Sequence, residues 1–428
     1  MTINSREEHI VNATTGLSDQ ILDFTCRLVA EPSTVGNEKG VLKVVEEEFR
    51  KLSMTSQRIS IDNESVINHP GYASTPWEAE GRYNLVATRQ PEVADTKVVG
   101  RSALFNGHLD VVSPEPLSLW DRNPFSPLVR DGWLYGRGAG DMKSGVAAMI
   151  YAVHAINAAG FSLRAPVTLE TVIEEECSGN GALACLAAGH DADAVLIPEP
   201  FGPTILTAQL GVLWFKVEVA GVPSHVLDTQ AGANAIEKCW PLINALRSLE
   251  EELNELDVPA AYQGMPHPIN LNVGIVRGGD WPSTVPAAAE FHARLAFFPG
   301  MDYETICHRI KTTLCEAAKQ DPWLAANSPI VSFYGFRSQG HSISRELPGL
   351  QTLNDCHKSL KGSDASSYIA CCTTDLRAFI HYGRGQATCY GPIAEAIHAA
   401  NERVHIESII DTAKTYALFL SRWCGLAE

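Results

Sequence analysis

The chain is short of positive charge. Against 50 Asp and Glu it carries 33 Lys and Arg, a formal net charge of −17, and the cations are not clustered. A duplex-binding surface, which needs grouped Lys and Arg against phosphates, is thereby disfavoured, and no nucleic-acid partner is expected. Long apolar runs are also missing: the most apolar helical stretch, GVAAMIYAVHAINAAG (145–160), is too short and too interrupted to span a bilayer. The first residues, MTINSREEHIVNATTG, have no basic segment leading into an apolar one, so no signal peptide is expected. Eleven cysteines, an odd number, are scattered without a C-x-x-C pair. That pattern fits reduced thiols in a cytoplasmic protein better than a disulfide framework. Internal repeats and low-complexity tracts are absent as well.

What is present is globular. Hydrophobic residues make up 45% of the 428, enough for two or three compact units, and a small molecule is the expected partner. Up to about residue 210, strand-like runs (VVGRSALFNG, APVTLETVIEEE, ADAVLIPEP) alternate with helical ones (GVAAMIYAVHAINAAG, NGALACLAAG), the rhythm of an α/β unit with a mixed, largely parallel, buried sheet. SDQILDFTCRLVAEPS (18–33) reads as an amphipathic helix with Ser18 as N-cap. The middle then reads strand (214–221), helix (233–256), two strands (INLNVGIVRGG, AAAEFHARLAFFPG), helix and strand, the β-α-β-β-α-β order of a ferredoxin-like unit. The predicted organisation is an inserted domain at 213–338 within a domain made of 1–212 and 339–428, closing on the amphipathic helix IESIIDTAKTYALFLSRW.

Chemistry collects where apolar runs stop. ALFNGHLD ends on His108 and Asp110, VTLETVIEEE on Glu174, Glu175 and Glu176, and AVLIPEP on Glu199. Ligands of open α/β sheets bind outside the carboxyl ends of the strands, so these side chains are predicted to share one rim. A glycine-rich turn, LYGRGAGDMKSG, delivers Asp141, and CYGPIAEAIHAANE adds His398. Two unit charges about 4 Å apart repel by about 4 kcal/mol at an effective dielectric of about 20, so three successive glutamates at a strand end need solvent, protons or cations. Mixed imidazole and carboxylate donors suit two neighbouring Zn, Mn or Co ions bridged by one carboxylate. Other catalytic readings fail on spacing. GRGAGD has Asp141 where G-x-G-x-x-G needs glycine, Met142 rather than Gly precedes Lys143, and GFRSQG has one residue too many for a nucleophile elbow.

In order and spacing, NGHLDVV, YGRGAGDMKSG, the acidic triplet, PEP, GVPSH and YGP followed by a histidine resemble the cocatalytic-metal amidohydrolases and peptidases, the family of acetylornithine deacetylase, succinyl-diaminopimelate desuccinylase, the aminoacylases and glutamate carboxypeptidase. The resemblance implies a zinc-peptidase-like catalytic domain with an inserted lid and dimerisation domain, and a homodimer. It implies that Asp141 bridges two divalent metals, that His108 and Glu199 complete one site and Glu176 and His398 the other, and that Glu175 is the general base. Asp110 would orient the His108 imidazole, and Asp141–Met142 would be a cis peptide. His225 would reach the partner's active site, Arg294 would bind a substrate carboxylate, and Gly391 of YGP would lie on the substrate side. Three positions depart from the family pattern: His292 stands where Asp is frequent, Thr284 where Asn is, and Ser144 follows Lys143 in place of glycine. The implied activity is deacylation of an N-acyl amino acid or related amide by metal-activated water. Two alternatives are an aminohydrolase displacing an amine from an activated aromatic or heterocyclic carbon, and a catalytically silent metabolite-binding relative.

Overall fold

The structure, a computed structural model, describes residues 3–91 and 100–427. Val98 and Val99 of the first strand-like run lie outside those residues. Ten strands build the two sheets that position the site: β1 (Ser56–Ser60), β2 (Tyr83–Arg89), β3 (Ala103–His108), β4 (Val167–Val172), β5 (Ala194–Ile197), β6 (Gly211–Ala220), β7 (Leu271–Gly278), β8 (Ala288–Phe297), β9 (Ile330–Ser338) and β10 (Gln386–Cys389).

The first sheet has the order β1-β2-β4-β3-β5-β10. Its pairs β4–β3, β3–β5 and β5–β10 are parallel, while β2 joins β4 and β1 joins β2 antiparallel. Alternation along β3 and β5 feeds two cores. Phe105 and Leu196 face the helices Ser5–Gly16, Ser144–Ala158 and Ile406–Trp423, whereas Leu104, Val195 and Ile197 face Leu376–Tyr382 on the other side. Burial on both faces explains why these strands read as continuous apolar runs. The helix Ser144–Ala158 is apolar almost all round and almost wholly buried, as the inner layer of such a sandwich must be.

The second sheet, wholly antiparallel, runs β7-β8-β6-β9. With the helices Ala235–Asn254 and Tyr303–Ala318 between its strands, this is the ferredoxin-like connection and strand order. Leu213, Phe215 and Val217 of β6 and Phe291 and Leu295 of β8 pack under those helices. Their alternate neighbours Trp214, His292 and Arg294 therefore face the other way, towards the first sheet's carboxyl rim.

The amino-terminal reading needs correction. MTINSREEHIVNATTG contains a helix, Ser5–Gly16, started by a capping box in which Asn4 accepts from Glu7 N and Glu7 accepts from Asn4 N. A second helix follows at once, so Leu17 occupies its N-cap, and the Ser18 hydroxyl instead donates to Thr15 O at 2.7 Å. Among the described residues no helix is long and apolar enough to cross a membrane.

Candidate metal centre

Each side chain of the rim sits at or just beyond a strand end or glycine turn. His108 is the last residue of β3, Glu175 and Glu176 follow β4, Glu199 follows β5, and Asp141 precedes the buried helix at 144. The His108 ring is held from behind: its Nδ1–H donates to the Asp110 carbonyl at 2.9 Å. That bond makes Nε2 the lone-pair nitrogen, and Nε2 points at Asp141 Oδ1, 3.0 Å away. The other Asp141 oxygen, Oδ2, lies 3.4 Å from His398 Nε2, which is also 3.1 Å from Glu176. Asp141 thus spans two imidazoles, one oxygen to each. Donor atoms of His108, Glu175 and Glu199 lie within 4.8 Å of one another, as do those of His108, Asp141 and Glu176.

A lone pair facing a carboxylate oxygen at hydrogen-bond distance requires a proton or a cation between them. The titration behaviour carries the same signature. Burial pushes the Glu175 and Glu199 carboxyls well above their usual range, reinforced for Glu175 by Glu199 and for Glu199 by Asp141. Burial opposes charging His108 and His398, yet Asp141 and the neighbouring glutamates outweigh it, raising His108 well above the usual imidazole value and His398 to about 11. Without cations the cluster holds protons it would otherwise shed. The residues present therefore fit divalent metal, with imidazole and carboxylate donors converging from separate loops.

The supports are as informative as the donors. The Asp110 carboxylate stands 3.8 Å from His108 Nδ1, so the ring is oriented by its backbone carbonyl; the side chain instead accepts from Glu175 N and Glu176 N at 3.2 and 3.1 Å. Glu174 turns away from its two neighbours, accepting from Trp77 Nε1 at 2.6 Å and from Arg82. Glu402, not singled out from the sequence, is buried and accepts from Gly138 N, Gly140 N and Asp141 N at 2.8–3.0 Å and from Arg137 at 2.6 Å. It clamps the glycine turn that presents Asp141, and the Asp141–Met142 peptide is cis. The signal for it was an acid four residues beyond His398 opposite a turn whose amides need an acceptor.

A cavity of about 550 Å³ opens from Glu175, Glu176 and His398 towards Arg294, Trp214 and Tyr334 of the second sheet. Arg294 is on its wall, donating to Asn270 Oδ1 and to Cys371 O at 3.1 Å. His225 is not brought to the rim of its own chain. It is exposed and caps a turn, accepting from Leu227 N at 3.1 Å. Gly391 is buried behind Glu199, where a Cβ would lie 2.2 Å from Glu199 O, so it packs the strand end and does not line the cavity.

Comparison with known proteins bears on the whole chain. The family model described as peptidase family M20/M25/M40 matches residues 104–422. An N-formyl-4-amino-5-aminomethyl-2-methylpyrimidine deformylase of Halalkalibacterium halodurans is 27% identical over 348 residues, 77% of this chain and 80% of that protein. The Bacillus subtilis enzyme of the same name is 26% identical over 381 residues, 84% of this chain and 87% of that one. Among solved structures, the di-peptidase Dug1p of Saccharomyces cerevisiae superposes with a TM-score of 0.80 at 14% identity, over 99% of each chain.

Proposed function

The chain belongs to peptidase family M20/M25/M40, and from that premise we propose that it is a metal-dependent amidohydrolase that removes the acyl group from a small N-acyl amine or N-acyl amino acid. The observation that carries the reading is the convergence of His108, Asp141, Glu175, Glu176, Glu199 and His398 at one end of a cavity sized for a small molecule. The relatives named as N-formyl deformylases support the same reaction class.

In this reading His108, Asp141, Glu176, Glu199 and His398 would hold two divalent ions, Zn, Mn or Co, with Asp141 as their shared ligand, His108 and Glu199 serving one and Glu176 and His398 the other. When bound, such a pair supplies water of lowered pKa and neutralises charge on the substrate's carbonyl oxygen. Glu175, on the cavity wall, removes the proton of the attacking water and returns it to the departing amine. Asp110 keeps Glu175 in place through the backbone, and Glu402 does the same for Asp141. Arg294 takes a substrate carboxylate. The unit 213–338 acts as lid and dimerisation domain of a cytoplasmic homodimer, whose second copy brings His225 to the developing negative charge.

The test is product analysis on protein loaded with Zn, Mn or Co and supplied with N-formyl and N-acetyl amines and amino acids and, separately, with activated aromatic and heterocyclic amines. Stoichiometric release of the carboxylic acid and the free amine is expected. Ammonia in place of the acid would assign the chain to aminohydrolysis of a ring carbon, and no metal-dependent turnover of any kind would assign it to metabolite binding.

A further inference from the structure

The cavity wall contributed by the second sheet is aromatic, and one irregularity makes it so. Between β6 and β9 the register pairs Leu213 with Arg337 and Phe215 with Phe333. One residue, Trp214, therefore faces three, Tyr334, Gly335 and Phe336. This is a bulge, and bulges re-aim side chains. Gly335 sits at φ +61°, where a Cβ would lie 2.8 Å from both Cys177 O and the Trp214 ring, and its N–H donates to Ser74 O at 2.7 Å. Its absent side chain lets Tyr334 and Phe336 both reach Trp214, at ring-centre distances of 6.1 and 5.1 Å and interplanar angles of 67° and 84°. Two rings stand nearly upright against a third, all three on the cavity.

These side chains do not belong to the core beneath the helices, which takes Leu213, Phe215 and their partners on the opposite face. Trp214 and Tyr334 are only half-buried. Polar groups ring the corner in register: Trp214 pairs with Arg294 and Arg294 with Asn272, giving one cross-strand row, and His292 bonds Tyr334 Oη through Nδ1 at 2.6 Å. A flat ring entering the corner would meet aromatic edges and faces at the separations aromatic pairs favour, with amides and an imidazole at its periphery for heteroatoms or substituents.

We infer that Trp214, Tyr334 and Phe336 form a specificity subsite for a planar aromatic or heteroaromatic ring on the substrate, beside the scissile bond. This rests on the hydrolase reading for the bond that is broken, but not for the ring that is bound.

Two comparisons test it on the full-length, metal-loaded protein. Calorimetric binding of benzoate is set against cyclohexanecarboxylate, flat against puckered with the same anion. In parallel, kcat/KM for N-formylbenzylamine is set against N-formylcyclohexylmethylamine. The flat member of each pair is expected to be favoured about tenfold, the fold-change of one or two aromatic contacts. The binding preference should fall to about twofold or less in Trp214→Leu and Tyr334→Leu, each verified as folded by circular dichroism. Equal binding of the two acids, binding of neither, or a preference that survives in both variants overturns the subsite. Equal hydrolysis of both amides also overturns it while leaving the hydrolase reading intact. Selective binding of benzoate with neither amide cleaved upholds the ring subsite and shows only that these two formamides are not substrates.

Discussion

Two buried acidic centres in the same α/β unit meet their charge in opposite ways. On the helix Lys39–Lys51, Glu48 is 1% exposed and lies 2.8 Å from Lys51, 3.1 Å from His154 and 3.8 Å from Arg27. Burial alone would raise its carboxyl, but His154 and Lys51 outweigh burial and hold it at about 2. At the rim, by contrast, none of Asp110, Asp141, Glu175, Glu176 and Glu199 has a Lys or Arg within 4.0 Å among the described residues. Glu174, one residue from Glu175, does have such a partner in Arg82. Within the triplet, the acid turned into the fold is given a cation from the fold, and the two left without one line the cavity. The difference separates structural from functional carboxylates even within the triplet.

The strongest way to break that contrast is to remove what the rim waits for. Chelation should abolish turnover and lower the melting temperature, with Zn, Mn or Co restoring both, because a ligand that binds only the folded state adds its binding energy to stability. Glu175→Gln should keep metal by elemental analysis while kcat falls about 10³-fold, the range of a lost general base. A variant that keeps its activity would return Glu175 to the structural class. Next in size is Glu402→Ala. It strips the acceptor from three backbone amides and Arg137, and should cost about 3–5 kcal/mol in denaturant unfolding and weaken metal binding about 10- to 100-fold. Unaltered metal affinity would show that the Asp141 turn holds its shape unaided.

The two halves of this contrast were unequally legible in the sequence. The donors were readable because each lies within a few residues of an apolar run or a glycine turn, and carboxyl ends of parallel strands converge by geometry. Glu402 was not, since a carboxylate accepting backbone amides looks in sequence like any loop acid. Ser18 misled because a hydroxyl before an amphipathic run is a capping signal only when the preceding residues are not already helical. His225, exposed and capping a turn in the single chain, carries no local signal of a role at an active site. The aromatic corner was invisible because it depends on a cross-strand register with three residues against one, which no single strand's pattern encodes.

Acid titration sharpens the structural half. A carboxyl held at about 2 when folded and near its ordinary value when unfolded contributes stability above about pH 4.5, and loses it as pH falls through the folded value. Glu48→Gln should therefore cost about 3 kcal/mol at neutral pH, and the difference from the parent protein should shrink towards zero by about pH 2. Chemical unfolding at several pH values measures it. A difference that stayed constant with pH would mean that Glu48 acts by packing and not by charge.

The smallest expected effect probes the cavity's two walls against each other. Gly335→Ala places a methyl at φ +61°, against the Trp214 ring and the Cys177 carbonyl, and should cost about 1–2 kcal/mol because an L residue there is strained and something must shift. The bulge is expected to give way, since Gly335 is part of it, while the Cys177 contact is to backbone and the Trp214 ring stands on the adjacent strand. Glu175 and Glu176 adjoin Cys177, but His108, Asp141, Glu199 and His398 come from other segments, so the metal should be kept. KM for a ring-bearing substrate should therefore rise several-fold while metal content stays constant. If metal content fell with it, the two walls would be one cooperative structure, and the division between a chemical end and a recognition end would fail.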